Sequence, residues 1–597
     1  MRISRLQIEN FRNFKELDVE VGSHLVIVGE NRVGKSNLLH ALRLVLDPSL
    51  PDSARRLRLE DFWDGAKPLQ PDTQITISVD LTDFEDNEKQ FAVLSDYSVA
   101  HSPMIARLTY AFFPRPDLDE EPTKESDYDF SVYGGDDPTR LLSPDVRRRL
   151  PMDVLPALRD AESDLANWRR SPMRPLLDSL SGEMDEDAKE ELAQAMTEAA
   201  NAIANTSEVK GLSDEIKEAL KTLAGKSHSD SPSLAFAPTD ADRLIRTLRL
   251  FIDDGVRGIS EASLGSSNLI YLALKLLSLE LEISEKVRDH GFVAIEEPEA
   301  HLHPHVQRRV FRSFLRPRNH LPTQEERHEP DRTILLTTHS PHVASVSPLT
   351  SIVLLRSQDA PSHSTARSVI GAGFTVTETD DLERYLDVTR GELLFAKGVV
   401  LVEGEAEEYL VPVLAQRLGY DLDELGVSVC SVAGTNFIPY VKLLSDKALG
   451  IPFAVITDED PRPEKECLAA KRVRSIVTTL FPEYDYSEGT SDLFAEAEED
   501  GVFVTDHTLE VALFRCGRHK SVTSTIEQLS SNSKATERAK MWRDDTSSLE
   551  ESRLLSDIEE IGKGRFSQRL SCRIQCMTST ACPSSIRKAI EHVVGQL

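Results

Sequence analysis

Residues 24–37 read HLVIVGENRVGKSN, and the order of those residues decides the fold of the first half of the chain. Leu25 to Val28 is an unbroken apolar run of strand length. Gly29 to Ser36 fits GxxxxGK[ST], and Asn37 to Leu46 continues as a helix. Strand, glycine loop and helix in this order make a phosphate cradle. Gly29 and Gly34 let backbone N–H groups close around phosphate oxygens, and the helix start adds a positive end. Lys35 is expected to reach the β- and γ-phosphates and Ser36 to bind Mg²⁺, with Asn31 and Asn37 in the same cradle. The implied cofactor is ATP.

Working outward, Ile3, Leu6 and Ile8, then Leu17, Val19 and Val21, then Ile75, Ile77 and Val79 alternate as strands. Phe292 to Ile295 is a further apolar run, and it ends in Glu296-Glu297. Terminal acids of a buried parallel strand fall on the ligand edge of the sheet. Glu296 there is suited to hold Mg²⁺ through water, and Glu297 to polarise the attacking water. Thr333 to Leu336 leads into Thr337-Thr338-His339-Ser340, which places His339 to sense the γ-phosphate. Ser263-Leu264-Gly265-Ser266 opens an apolar helix over 268–283 that is expected to be buried, and small residues at a helix start suit a close phosphate. From about Leu150 to Ala224 the pattern is helical and charged, which predicts a helical insertion.

A second α/β series begins near Leu393. Val399 to Val402 ends in Glu403-Gly404, with Glu407 one helical turn on, and Phe453 to Thr457 ends in Asp458-Glu459-Asp460. Four carboxylates at one sheet edge repel without cations, and hard oxygen ligands in that number select Mg²⁺ or Mn²⁺. Residues 461–500 read as a loose connection or small insertion, and 520–560 as polar helix.

Composition sets the bounds. With 597 residues the chain needs several cores, and 69 Lys+Arg against 100 Asp+Glu gives a net charge of −31, which argues against a DNA-coating protein but not against a DNA enzyme with a local groove. Six cysteines without CxxC pairs argue against structural zinc and for reduced cytoplasmic thiols. No run reads as a membrane span, and a cytoplasmic location is expected. Basic clusters at Arg55-Arg56-Arg58, Arg147–Arg149 and Arg169-Arg170 with Arg174 are candidate phosphate contacts, and Trp168 a candidate stacking residue.

The segments IENFRNF (8–14), the phosphate loop, SLGSSN (263–268), AIEEPEAHLHP (294–304) and TTHS (337–340) stand in the order of SMC-, RecF- and ABC-like ATPases, which this half resembles. That resemblance implies a homodimer in which Ser263, Gly265 and Ser266 meet ATP in trans. The chain departs from the pattern in carrying Glu296 where aspartate is usual, and SLGSS where LSGGQ is usual. Glu-Gly, a Gly434 turn and DxD resemble the Toprim domain. ATPase followed by Toprim, with LPALRDAESDL (155–165), RGELLFAKGVVLVEG (390–404), TLE (508–510) and GKGRFSQRL (562–570), is similar to the OLD (overcoming lysogenization defect) nuclease family.

The resemblance implies an α/β fold: an ABC-type ATPase over 1–150 and 236–390, a dimerising helical insertion over 151–235, and a Toprim domain with helical additions over 391–597. It implies that Glu403, Glu407, Asp458, Asp460 and Glu510 bind two metals and that Lys563 stabilises charge at the phosphate. The expected activity is ATP-regulated, Mg²⁺-dependent DNA endonuclease action in phage defence or DNA processing, in some members beside a helicase-like partner encoded nearby. The rival reading is an SMC/RecF-like repair ATPase or clamp with a non-cleaving Toprim domain.

Overall fold

A computed structural model describes residues 1–118, 121–156, 161–167, 171–224, 234, 241–254, 256–316, 332–358, 363–386, 388–461 and 467–597. The first half is built on two sheets. One is antiparallel, in the spatial order Phe14–Glu20, Arg2–Phe11, Ile75–Thr82, Met104–Pro114 and Ser98–His101, with Tyr128–Gly134 also paired to Met104–Pro114. The other runs His363–Ser368, Ile352–Gln358, Leu25–Gly29, Arg332–Thr338, Gly291–Glu296 and Met152–Leu155, all parallel except the His363–Ser368 edge. Helix Lys35–Leu46 packs between the two sheets.

The Leu25–Gly29 strand shows why a continuous apolar run was needed. Leu25 and Ile27 face the core shared with that helix and the antiparallel sheet, while Val26 and Val28 face a second core. A strand covered on both faces cannot alternate apolar with polar.

The second half repeats the device. Its parallel sheet runs Val427–Ser431, Gly398–Val402, Phe453–Asp458 and Val502–Thr505. Val399 and Leu401 enter the same core as Val26, Val28, Ile334 and Leu336, so one apolar cluster runs from the ATPase sheet into the second sheet. Val400 and Val402 face a third core, closed by Leu410, Trp542, Leu570 and Ile590.

Several expectations need correction. Residues 461–500 are no loose connection where described: helices Leu468–Leu480 and Thr490–Glu499 bury Ala469, Val473, Ile476, Leu493 and Ala497, and feed the last strand of the sheet. Met152–Leu155, expected in the helical stretch, pairs with Gly291–Glu296 instead. The 520–560 region is helical as expected, in three helices, His519–Leu529, Ser533–Asp544 and Glu551–Ile561. The apolar helix spans Leu264–Ser284 but buries one face only, through Leu272, Leu276 and Leu279, with Leu264 and Leu277 exposed. By length and composition it is apolar enough to cross a membrane, contrary to the reading that no run is. Its buried face packs on the ATPase sheet, and Lys275 within it is ion-paired, which accounts for the helix as part of this core.

That ion pair ties three elements together. Asp153 on the edge strand meets Lys275 of the apolar helix at 3.0 Å and Arg288 at 2.5 Å. Burial works against its charge, but the two cations outweigh burial and hold the carboxyl below its ordinary range. A depressed folded pKa contributes stability above the unfolded value, about 3.9, and loses it as pH falls through the folded one. Asp153→Ala is expected to strand Lys275, leave Arg288 with Glu282 alone, and destabilise the chain by about 3–5 kcal/mol near pH 7. Thermal melts should show the gap between wild type and variant closing below about pH 4.

Candidate active sites

Two sheet edges carry the chemistry. At the first, Gly34 sits at φ 93°, and a Cβ there would stand 2.1 Å from Asn13 Nδ2, so only glycine fits. The Lys35 ammonium donates to the Gly29 and Glu30 carbonyls at 2.9 and 2.8 Å and lies 3.2 Å from His339 Nδ1. Burial pulls its pKa down to about 8, against the opposing pull of Glu297, Glu299 and Glu30. His339 Nε2 lies 2.7 Å from Glu297 Oε1, so Lys35, His339 and Glu297 form one chain of contacts. Burial raises the Glu296 carboxyl above its usual range, with Arg43 pulling it back and Glu297 adding to the rise.

Ser36 is exposed at the helix start and Asn31 is exposed in the loop. Asn37 donates to Asn13 Oδ1 at 2.6 Å and accepts from Arg12 Nη1 at 2.9 Å. Ser263 caps the apolar helix and lies 2.9 Å from Ser266 Oγ, and both are exposed. A Cβ on Gly265 would stand 2.5 Å from the His301 carbonyl. The serines therefore sit beside the loop that follows Glu297.

Sequence reasoning missed Glu299. Its Oε1 accepts from the His339 backbone N–H at 2.7 Å and the Thr338 hydroxyl at 2.9 Å, which fixes the turn that aims His339. The signal was present as the third acid of IEEPE.

At the second edge, Glu403 follows Gly398–Val402, Asp458 ends its strand, and Glu510 follows Val502–Thr505 on the short helix Leu509–Leu513. Glu407 lies in the first turn of helix Glu405–Leu418, where its Oε2 would be 3.5 Å from a Cβ on Gly404. Helix Lys563–Gln575 packs along that helix and brings Lys563 Nζ to 3.9 Å from Glu510 Oε1. All six expected residues gather at one carboxyl edge.

The electrostatics show how tightly. Burial, then Glu510 and Glu403, push the Glu407 carboxyl up to about 7. Burial and then Glu407, Glu403, Glu510 and Asp460 hold Asp458 well above the carboxylate range. Burial opposes the Lys563 charge, but Glu510, Asp458, Glu559 and Glu407 prevail and raise its pKa.

Arg472, which sequence reasoning also missed, lies 2.5 Å from Glu403 Oε1 and 3.1 Å from Asp460 Oδ2. Five carboxylates against Arg472 and Lys563 leave three negative charges when all are ionised. As the side chains stand, no three acids among the described residues converge closely enough to encircle an ion. The donor set nevertheless fits hard divalent cations: all oxygen, no soft ligand, and an excess of negative charge that Arg472 and Lys563 only partly offset among the described residues.

The basic clusters do not gather at either edge. Arg55 pairs with Asp52, Arg56 with Asp129, Arg148 with Asp145, Arg149 with Asp289 and Arg174 with Asp178. Those five are ion-paired, whereas Arg147 lies near Arg55 and burial, then Arg55, lowers its pKa. Trp168, Arg169 and Arg170 lie outside the described residues. All six cysteines are free thiols.

An ABC-type ATPase sheet continued into a Toprim sheet is the class that this fold and these edges define. A family model described as "Overcoming lysogenization defect protein-like, TOPRIM domain" matches residues 394–460, and one described as "AAA domain, putative AbiEii toxin, Type IV TA system" matches 25–345. The chain is 27% identical over 520 residues to the "OLD nuclease" of Thermus scotoductus, covering 86% of this chain and 91% of that protein. It is 23% identical over 491 residues to "Endonuclease GajA" of Bacillus cereus, covering 78% and 76%. The C-terminal region of the Burkholderia pseudomallei OLD protein is 40% identical over 34% of this chain and 98% of that one, with a TM-score of 0.31. The chain belongs to the OLD family.

Because folded Glu407 keeps a proton that the unfolded chain releases near pH 4.3, this group costs stability as pH rises from there to about 7. A bound divalent cation removes that cost and expels the proton. The gain in melting temperature from millimolar Mn²⁺ is therefore expected to be larger at pH 8 than at pH 6, read by differential scanning fluorimetry.

Proposed function

We propose that the chain is an ATP-binding, Mg²⁺-dependent DNA endonuclease whose cutting site is the acidic edge of the Toprim sheet. The observation that carries this is the convergence of Glu403, Glu407, Asp458, Asp460 and Glu510 with Lys563 at one carboxyl edge. The names of two relatives, the "OLD nuclease" of Thermus scotoductus and "Endonuclease GajA" of Bacillus cereus, support it. We place the ATPase over 1–150 and 236–390, the dimerising insertion over 151–235 and the nuclease over 391–597. Exposed Ile203, Leu212 and Leu220 on the insertion helices favour the homodimer.

In this reading Glu403, Glu407, Asp458, Asp460 and Glu510 hold the cations, which when bound lower the pKa of the attacking water and offset charge on the phosphate. With two divalent ions the three uncompensated charges become one positive, which a phosphodiester neutralises. Lys563, half exposed, is left to face the phosphate and stabilise its developing charge. In the ATPase, Lys35 and Ser36 bind the triphosphate and its Mg²⁺ with Glu296, Glu297 orients water, and Ser263, Gly265 and Ser266 act across the dimer. His339, already touching both Lys35 and Glu297, reports whether a γ-phosphate is present. We place the activity in the cytoplasm, in phage defence or DNA processing, with a helicase-like partner where one is encoded beside it.

A plasmid-cleavage assay with Mg²⁺ or Mn²⁺, with and without ATP, tests the reading. Asp458→Ala is expected to lose at least about 100-fold in cleavage and Lys563→Ala about 10²–10³-fold, while Glu297→Gln slows phosphate release from ATP by about the same factor. Wild type that binds DNA but does not cut it with either metal would favour the clamp reading instead, and full cleavage by Asp458→Ala would remove the cutting site from this edge.

A further inference from the structure

We propose that Arg472 is a positioning residue of the cation site: it holds Glu403 and Asp460 so that each offers one oxygen, Glu403 Oε2 and Asp460 Oδ1, to a divalent ion. The inference rests on reading this edge as the cation site and adds to it which oxygens bind and what aims them.

Helix Leu468–Leu480 buries Ala469, Ala470, Val473, Ile476 and Val477, and Arg472 lies on the same stripe with its side chain only 12% exposed. A guanidinium on a buried stripe needs partners for its donors. Nη1 donates to Glu403 Oε1 at 2.5 Å, to the Asp458 carbonyl at 3.2 Å and to the Thr457 hydroxyl, while Nη2 donates to Asp460 Oδ2 at 3.1 Å. Glu403 Oε1 also accepts from Thr457 Oγ1 at 2.5 Å and from the Asp458 backbone N–H at 3.0 Å. Three donors saturate that one oxygen. No hydrogen bond among the described residues is made to Glu403 Oε2 or Asp460 Oδ1, so each acid is left with one coordinating atom.

The same contacts distinguish a fixed aimer from a latch that must leave. The Asp458 carbonyl and Thr457 hydroxyl are partners for which an arriving ion does not compete with Arg472, so the guanidinium keeps its anchorage when the free oxygens are taken up. The planar fork spans two carboxylates at once; a lysine ammonium at this place holds one or the other. Asp460 stands at φ 48°, off the strand, and among the described residues the fork is the only side-chain tie that holds its carboxylate beside Glu403.

The test uses the full chain without nucleotide, and Mn²⁺ alone as the probe. Mn²⁺ binding is measured by isothermal titration calorimetry and by loss of the free-ion EPR signal, beside the Mn²⁺ dependence of plasmid cleavage. Arg472→Gln is expected to weaken Mn²⁺ binding about 10–100-fold and to shift the half-saturating Mn²⁺ for cleavage by the same factor, with the rate at saturation largely recovered. Arg472→Lys is expected to fall between the two, and it carries the test if Arg472→Gln does not fold. Wild-type affinity in either folded variant overturns the proposal, and so does tighter binding, which is the signature of a latch. Mn²⁺ binding that weakens in Arg472→Gln while wild type cuts no DNA would keep this inference and remove the nuclease reading.

Discussion

Everything in the second half of the chain answers to the repulsion among five acids held at the carboxyl ends of parallel strands. Buried strands force them together: Val400 and Val402 must pack inside, so Glu403 emerges where they end, and the neighbouring strand delivers Asp458 to the same line. Among the described residues Arg472 and Lys563 stand against them, and Glu407 and Asp458 are pushed toward their protonated forms. A site of this kind is costly as a stability device. It makes sense as a place prepared for positive charge that arrives from outside.

The ATPase edge uses the opposite arrangement. Lys35, a cation, is surrounded by its own loop's carbonyls, by His339 and by three acids at longer range. His339 touches the lysine with one ring nitrogen and Glu297 with the other, so the imidazole cannot move without disturbing both. Glu299 fixes the backbone on which the ring is mounted. One edge awaits cations and the other a polyanion, and both are built from acids at strand ends.

What the sequence shows plainly is what an apolar run delivers to its end. Glu296, His339, Glu403 and Asp458 each stand at the close of such a run, Lys35 stands one glycine loop beyond another, and each lies at a sheet edge in the structure. Glu510 and Lys563 were legible only through resemblance, because the first sits past a four-residue strand and the second starts a helix whose position depends on packing against Glu405–Leu418. Arg472 is illegible for a related reason: its helix reads as a connection, since Ala469, Ala470, Val473 and Ile476 are small or scattered enough to pass for loop beside so many acids. Five arginines of the basic clusters, Arg55, Arg56, Arg148, Arg149 and Arg174, are paired with aspartates in the structure. In a chain of net charge −31, an exposed arginine finds a carboxylate more readily than a phosphate.

The apolar cluster that joins the two sheets has a mechanical meaning. Val26 and Val28 beneath the phosphate loop, and Val399 and Leu401 beneath Glu403, belong to one packed interior with no hinge of solvent between them. Close-packed interiors transmit displacement rather than absorb it. Within one copy the nucleotide edge and the acidic edge therefore travel as a single block, like two tools on one handle. On the proposed function, a signal from bound triphosphate would reach DNA by reorienting whole blocks against one another, not by bending the protein between its own two edges.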